Sequence, residues 1–220
     1  DARHTVIGGT TAELRNIISG NGRDGIQLSS ADSNLVIGNY IGVDVTGTAL
    51  LANSQCGVGD GIDIRYSSHG NIIGGSQPGE GNVICGCVNN GIRLHRDSHH
   101  NTMMGNMVGV DAGGTIAMGH GNPGIKIYDG CHHNIVGGSE AGEGNIVSGN
   151  LDAGIEIYQE GSDWNVVAGN LIGLGRDSTF IPNQSHGIVV HDSTANNTIG
   201  PGNIIRANRG YGILIRGSRT

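Results

Sequence analysis

The stretch Asn71–Leu94, NIIGGSQPGEGNVICGCVNNGIRL, returns at Asn134–Ile157 as NIVGGSEAGEGNIVSGNLDAGIEI, with half of its letters unchanged. Three phrases persist: N-x-[IVM]-x-G, a second phrase of the same form, and G-I-x-[IVL]. None is long enough for a helix. Their apolar letters fall two apart and are mostly β-branched, the period of a strand with one face buried. The G-I phrase occurs seven times, from Gly25-Ile26 to Gly212-Ile213. The first Asn phrase opens at Asn34, Asn71, Asn101, Asn134, Asn165 and Asn197, the second at Asn16, Asn39, Asn82, Asn106, Asn145, Asn170 and Asn203. A repeat of roughly 30 residues that leaves no segment over belongs to stacked, quasi-one-dimensional proteins, in which a turn buries its apolar letters only against its neighbours. The expected fold is all-β: a right-handed parallel β-helix solenoid of about seven turns, each made of three short strands.

The bulk numbers agree. The unbroken repeat argues for one elongated domain over residues 1–220 rather than two globular ones. With 42 glycines and only 3% aromatic residues, the core must be built of aliphatic stacks. The formal charge of −7, with no run of Lys or Arg, disfavours nucleic acid and anionic membranes as partners. No stretch of apolar residues is long enough for membrane insertion. Cys56, Cys85, Cys87 and Cys131 lack the spacing of a zinc ribbon, and a bridge across turns would require Cys85 to be exposed.

In chain order, the turns opening at Asn34, Asn101 and Asn165 carry long insertions before their G-I phrase, while those opening at Asn71 and Asn134 carry G-G-S-x-x-G-E-G. The insertions, at residues 43–60, 110–123 and 173–186, read as irregular surface loops stacked on one side, the side that repeat proteins often use for binding. The recurring asparagines have a physical reason. Stacked at one corner, each amide can donate to the next and accept from the last, and Asn tolerates the left-handed backbone of a sharp corner.

The phrases IGGTTAELRNIISGN, GNYIGVDVTGT and NIIGGSQPGEGNVI resemble the right-handed parallel β-helix repeats of bacterial cell-surface and secreted proteins, within the broad pectate-lyase-like superfamily. The resemblance covers nearly the whole chain. It implies an extracellular or cell-surface location, and it spans lyases, epimerases, tailspikes, adhesins and stalks. Gly59-Asp60-Gly61-Ile62-Asp63 also resembles the Asn-Thr-Asp-Gly-x-Asp motif of polygalacturonases, and Gly119-His120-Gly121 with Lys126 imitates two further motifs of that family. No Asp-Asp pair follows on the next turn, and the last two motifs share one turn where the family spreads them over two.

Two columns of the G-I strand should face outward. One holds Gln27, Asp63, Arg93, Lys126, Glu156, Val189 and Leu214; the other holds Ser29, Arg65, His95, Tyr128, Tyr158, His191 and Arg216. Of these, Asp63, Arg65, Arg93, His95, Lys126, Tyr128, Glu156, Tyr158 and His191 form a candidate ridge for a polysaccharide, with Tyr faces packing on sugar rings and cations holding oxygens. The same positions serve equally as a solvated face, with cross-strand ion pairs worth ~0.2–1 kcal/mol each. Asp63 and Glu156 lie three turns apart, roughly 14 Å at the usual strand spacing, whereas paired glycosidase carboxylates need about 5–9.5 Å. A lyase or epimerase is less excluded, with Arg93, His95, Lys126 and Tyr128 as candidate catalytic residues on adjacent turns. Two residues before the opening Asn, a further column holds His69, His99, His132 and Asp163, with Asp32 at its head and His100 and His133 adjacent. Stacked imidazoles could share a surface divalent metal such as Zn2+, Cu2+ or Ni2+, although a flat stack offers poor tetrahedral geometry. No other cofactor is implied.

Two functions compete: an extracellular structural or glycan-binding module for display, adhesion or stalk formation, and a polysaccharide lyase or epimerase. The first is preferred, because dedicated catalytic motifs are missing. The chain starts and finishes in strand-like letters with no polar cap, and its last turn carries Arg206, Arg209 and Arg216 while its first carries Asp1, Glu13 and Asp24. Unpaired strand edges of opposite charge favour continuation into further β-helix or end-to-end stacking. Sedimentation across a concentration series should therefore show association; a strictly monomeric species from the complete natural chain would oppose both outcomes.

Overall fold

The computed structural model describes residues 2–53 and 56–217. Its strands form three parallel sheets of seven strands each, with one additional pair, Ala2–Arg3 against Ala31–Asp32. The first sheet runs from Val6–Gly8 to Thr198–Ile199, the second from Ile17–Ile18 to Ile204–Ile205, and the third from Ile26–Ser29 to Ile213–Arg216. The chain visits them in rotation, so every circuit adds one strand to each sheet. This is a right-handed parallel β-helix of seven turns, without helix among the described residues. Asp1 lies outside those residues, and so outside any account of the first turn's charge.

Register follows the repeat letter by letter. Ile62, Ile92, Ile125 and Ile155 are direct partners on successive turns, and all four are fully buried. They belong to one continuous aliphatic core that also takes in Ile64, Leu94, Ile127 and Ile157 of the third sheet and Val36, Ile73, Met103, Val136 and Val167 of the first. At about 25 cal/mol per Å² of apolar area removed from water, such stacks supply most of the drive to coil. The glycine ending the first Asn phrase is fixed by steric necessity: at Gly105, where φ is +66°, a Cβ would collide with the Gly75 carbonyl oxygen of the preceding turn.

Asparagine ladders bind the turns at the corners. The main-chain N–H and the Nδ2 of Asn71 donate to Asn101 Oδ1 at 3.0 and 2.9 Å, and the same Nδ2 also donates to the Ala31 carbonyl at 2.8 Å. The pattern runs from Asn34 to Asn197, and again from Asn39 to Asn203. A third ladder, through Asn150, Asn183 and Asn208, lies outside the phrases used to parse the repeat. Its rung above Asn150 is His120, whose N–H donates to Asn150 Oδ1 at 3.2 Å. In the first ladder the left-handed backbone falls one residue earlier than expected, on Ser33, Gly70, His100, His133, Trp164 and Asn196. The amide must point along the coil to meet its neighbours, so the preceding residue makes the bend.

The insertions are more ordered than irregular loops. Each closes on an antiparallel bridge, Val43 with Leu50, Val110 with Ala117, and Leu174 with Phe180. Two satellite clusters anchor them on the second sheet, one around Val43, Val83, Cys85 and Met118, the other around Val110, Ile146 and Ile181. Cys85 is therefore buried, which removes the bridge across turns; all four cysteines are unpaired. Burial pushes the thiols of Cys87 and Cys131 up to about 12, so both are inert.

Replacing Asn106 by Ala strips partners from the buried Asn82 amide and from Asn145 Oδ1. The Asn82 main-chain N–H is left without its acceptor, while Asn145 Oδ1 keeps the main-chain N–H of residue 106 and Asn82 Nδ2 keeps the Val36 carbonyl. At roughly 1–3 kcal/mol for an unsatisfied group, denaturant unfolding should show a loss of that order. Substitution of the surface residue Asn89 by Ala should stay within about 0.5 kcal/mol.

Candidate functional site

Parallel pairing in the third sheet lines up the two outward columns. Asp63, Arg93, Lys126 and Glu156 are consecutive partners in one, and Tyr158 and His191 are partners in the other. His95, Tyr128, Tyr158 and His191 stack ring on ring, with centroids 5.5, 5.0 and 5.2 Å apart and interplanar angles of 13°, 16° and 14°. The faces on which sugar rings were expected to pack are thus covered by the neighbouring rings. Only edges and hydroxyls are presented to a ligand.

The outward columns are not uniformly at the surface. Asp63 is fully buried, and His95 and His191 nearly so. Asp63 Oδ1 accepts from Arg93 Nε at 3.0 Å and lies 3.1 Å from His95 Nε2, while Arg65 Nη1 stands 3.5 Å from Oδ2. Asp60, on the corner before the strand, joins this group. Its Oδ1 accepts from Asn90 N and Nδ2 at 2.9 and 2.8 Å. Its Oδ2 lies 3.0 Å from Arg93 Nε, but that hydrogen is directed to Asp63, so Oδ2 has a charge partner without an aimed hydrogen bond. Burial pushes the Asp60 carboxyl up, and Arg93 offsets this only in part. Burial acts the same way on Asp63, yet the hydrogen bonds from His95 and Arg93 outweigh it and hold this carboxyl below its usual range. Asp60, Arg65 and Arg93 help to line a cavity of about 320 Å³ together with Arg23, Asp24 and Gln27. Asp60 was visible in the sequence only as part of a motif; its position before the G-I phrase is the signal that places it here.

Further along, Lys126 Nζ pairs with Glu156 Oε2 at 3.0 Å, and His191 Nε2 lies 3.1 Å from Glu156 Oε1. Burial alone would lower the Lys126 ammonium, but the Glu156 charge and hydrogen bond raise it. Burial raises the phenols of Tyr128 and Tyr158, so both stay protonated at neutral pH. Arg93, His95, Lys126 and Tyr128 are therefore together on adjacent turns, but both cations are already neutralised by carboxylates of the same face. His120 is elsewhere. It is fully buried in the third ladder, with Nδ1 accepting from Cys87 N and Nε2 donating to the Ile84 carbonyl, and burial pushes its pKa down to about 4. The motif that imitates a polygalacturonase is a structural rung.

At the corner before the first sheet, His69, His99 and His132 stack at 5.0 and 4.9 Å. Stacked face to face, their lone pairs run parallel rather than converge. Asp163 accepts from Ala195 N at 2.6 Å, and His69 Nδ1 lies 3.0 Å from Asp32. Among the described residues no group of three or more His, Cys, Asp or Glu side chains converges as a metal site requires, so this column does not assemble the expected shared site. A parallel stack, His100 on His133 on Trp164, runs beside it at 5.0 and 6.2 Å.

No family model matches the chain, and no curated protein matches it. Among solved structures it is similar to the periplasmic alginate epimerase AlgG. A double mutant of that protein superposes with a TM-score of 0.62 at 22% identity, covering 89% of this chain and 36% of that one. The unsubstituted AlgG gives 0.52 at 15% identity, covering 94% and 46%. The chain thus spans less than half the length of these proteins. At such identities the likeness is one of fold, and the fold is that of the parallel β-helix.

The two buried carboxyls should respond oppositely to substitution. Asp63→Asn leaves Arg93 and His95 without their shared anion and should cost roughly 3–5 kcal/mol, while Asp60→Asn keeps an acceptor for Asn90. The stability from Asp63 is present above the unfolded carboxyl pKa and is lost as pH falls through its lowered folded value. Asp60, raised on folding, contributes the reverse: its penalty at neutral pH is relieved as pH falls through its folded value toward the unfolded one. Relative to wild type, Asp60→Asn should therefore gain less stability between pH 7 and 4.5 in denaturant titrations.

Proposed function

We propose that this β-helix is a non-catalytic module, exported to the cell surface or beyond, that binds an extended uncharged glycan along its third sheet. One observation carries the reading: the ionic groups of that face are paired among themselves, Arg93 between Asp60 and Asp63, and Lys126 with Glu156. Among the described residues, the central cations of the face, Arg65, Arg93 and Lys126, thus each already stand beside a carboxylate of the same face. What remains is a row of ring edges one turn apart, including the hydroxyls of Tyr128 and Tyr158, suited to the hydroxyl groups of a chain lying along the axis. The formal charge of −7 also disfavours a polyanion. No helix among the described residues is long and apolar enough to cross a membrane.

A lyase or epimerase is the second reading, and it too has a specific support. The buried Asp60, its pKa raised, lines a cavity beside Arg65 and Arg93, a pattern often associated with active sites. The similarity to a protein named as an alginate epimerase is compatible with it, although that similarity is one of fold.

Calorimetry against neutral and uronate polysaccharides separates the two. The module reading expects saturable binding of a neutral glycan, weakened about 2–10-fold by Tyr128→Phe, the loss of one hydrogen bond with the ring stack intact. Formation from a uronate polymer of unsaturated, ultraviolet-absorbing product, as a lyase gives, or of C5-inverted residues without unsaturation, as an epimerase gives, abolished by Lys126→Ala or Tyr128→Ala, would overturn it.

A further inference from the structure

We propose that the corner of the first sheet is a metal-binding ladder, in which His99 with His100 and His132 with His133 each chelate one divalent transition ion of the Cu2+ or Ni2+ type. Within both pairs the Nδ1 atoms stand 2.9 Å apart. Imidazole nitrogens bound at ~2.0–2.1 Å and at right angles to one another are separated by about 2.9 Å, the bite of a tetragonal site rather than of a tetrahedral one. The rings of each pair are perpendicular, at 86° and 87°. Because the hydrogen bond aims the two Nδ1 atoms at each other, both rings turn outward on binding, so that their lone pairs meet at a common point at the surface.

The repeat itself builds this arrangement twice. The residue before the ladder asparagine has a left-handed backbone, with φ of 55° at both His100 and His133, which turns its side chain toward the residue preceding it. On the other turns that position holds Ser33, Gly70, Trp164 and Asn196, so only these two turns supply both nitrogens. His69 has no such neighbour and is engaged by Asp32.

The Nδ1 to Nδ1 contact is a hydrogen bond, so one ring of each pair carries its hydrogen on Nδ1. On chelation that ring takes the Nε2–H tautomer, and both Nδ1 atoms become ligands with no net change in protons. Asp97 Oδ1 lies 3.6 Å from His132 Nε2, placed to receive that hydrogen and orient the ring. Solvent completes the coordination. Successive rings are 4.9 and 5.0 Å apart, so the two ions stand about one turn from each other and the second binds more weakly through like-charge repulsion.

Trp164 reports on the site, because it is the chain's single tryptophan and its ring lies over His133. The untagged chain is titrated with Cu2+ alone, with tryptophan fluorescence and electron paramagnetic resonance read together. The wild type should bind two ions, quench Trp164, and show at saturation the dipolar signature of two close Cu2+ centres. His100→Asn and His133→Asn should each bind one ion and lose that signature, and the double variant should bind none. Asn accepts the left-handed backbone at both sites, and the far-UV spectrum verifies that the fold is kept. Absence of saturable binding by the wild type, or undiminished stoichiometry in the double variant, would overturn the proposal.

Discussion

The constraint on which this structure depends is the fixed rise between parallel strands, about 4.7–4.9 Å. Whatever occupies one position of a turn lies directly over its counterpart on the next, and any group placed inside must be satisfied by that counterpart. Aliphatic side chains meet the requirement by packing. A carboxamide meets it because it carries both donor and acceptor, so a column of identical Asn residues closes its own hydrogen bonds, with end rungs at Asn197 and Asn203 donating to main-chain carbonyls. Carboxylates and imidazoles cannot do this alone. Where they enter a column they bring a complementary partner, as Asn90 donates to Asp60 and Cys87 N donates to the His120 ring.

The same rise governs the outer face. Rings one turn apart stack because they have no other distance available, and the stack turns their faces toward each other. Like charges one turn apart repel unless each has an opposite charge on its other side: Arg93 pairs back to Asp63 and Lys126 forward to Glu156, which lets these two cations stand as direct partners. Arg93 spans two carboxylates, and one Nε–H cannot serve both equally. Asp63 receives it and is held ionised, whereas Asp60 retains an oxygen with charge nearby but no directed hydrogen. Both oxygens stand 3.0 Å from Arg93 Nε, so under similar burial it is the direction of one N–H, with the added hydrogen bond from His95, that separates the pKa behaviour of the two carboxyls.

The coil, its register and two of its ladders were legible because each rests on a periodic letter: Ile after Gly in the third sheet, Asn at the corners of the other two. Three features were not. The burial of Asp63 depends on the long side chains of Arg93 and Arg65 closing over it, which strand alternation alone does not encode. The left-handed residue falls before the ladder Asn, on positions as unlike as Ser33, His100 and Trp164, because the bend is imposed by the neighbouring amide's direction and not by the residue's own preference. The loss of ring faces along His95, Tyr128, Tyr158 and His191 follows from stacking, which a list of outward residues does not convey. Trp164 escaped notice for a related reason: its column holds no repeated letter apart from the two histidines.

Similarity of coil does not by itself carry similarity of chemistry. A parallel β-helix offers any ligand the same flat, laddered sheet, so its affinity for charged or neutral glycans is decided by whether the charges on that sheet are free or paired. In this chain Lys126 and Arg93 each find a carboxylate on the next or the previous strand of the third sheet, at 3.0 Å. Releasing either cation toward a uronate would leave a buried or half-buried anion without its partner, a cost of the same order as breaking a buried ion pair. A polymer bearing carboxylates would meet that cost at the turns of Arg93 and Lys126, while a hydroxyl-bearing polymer would leave both pairs intact.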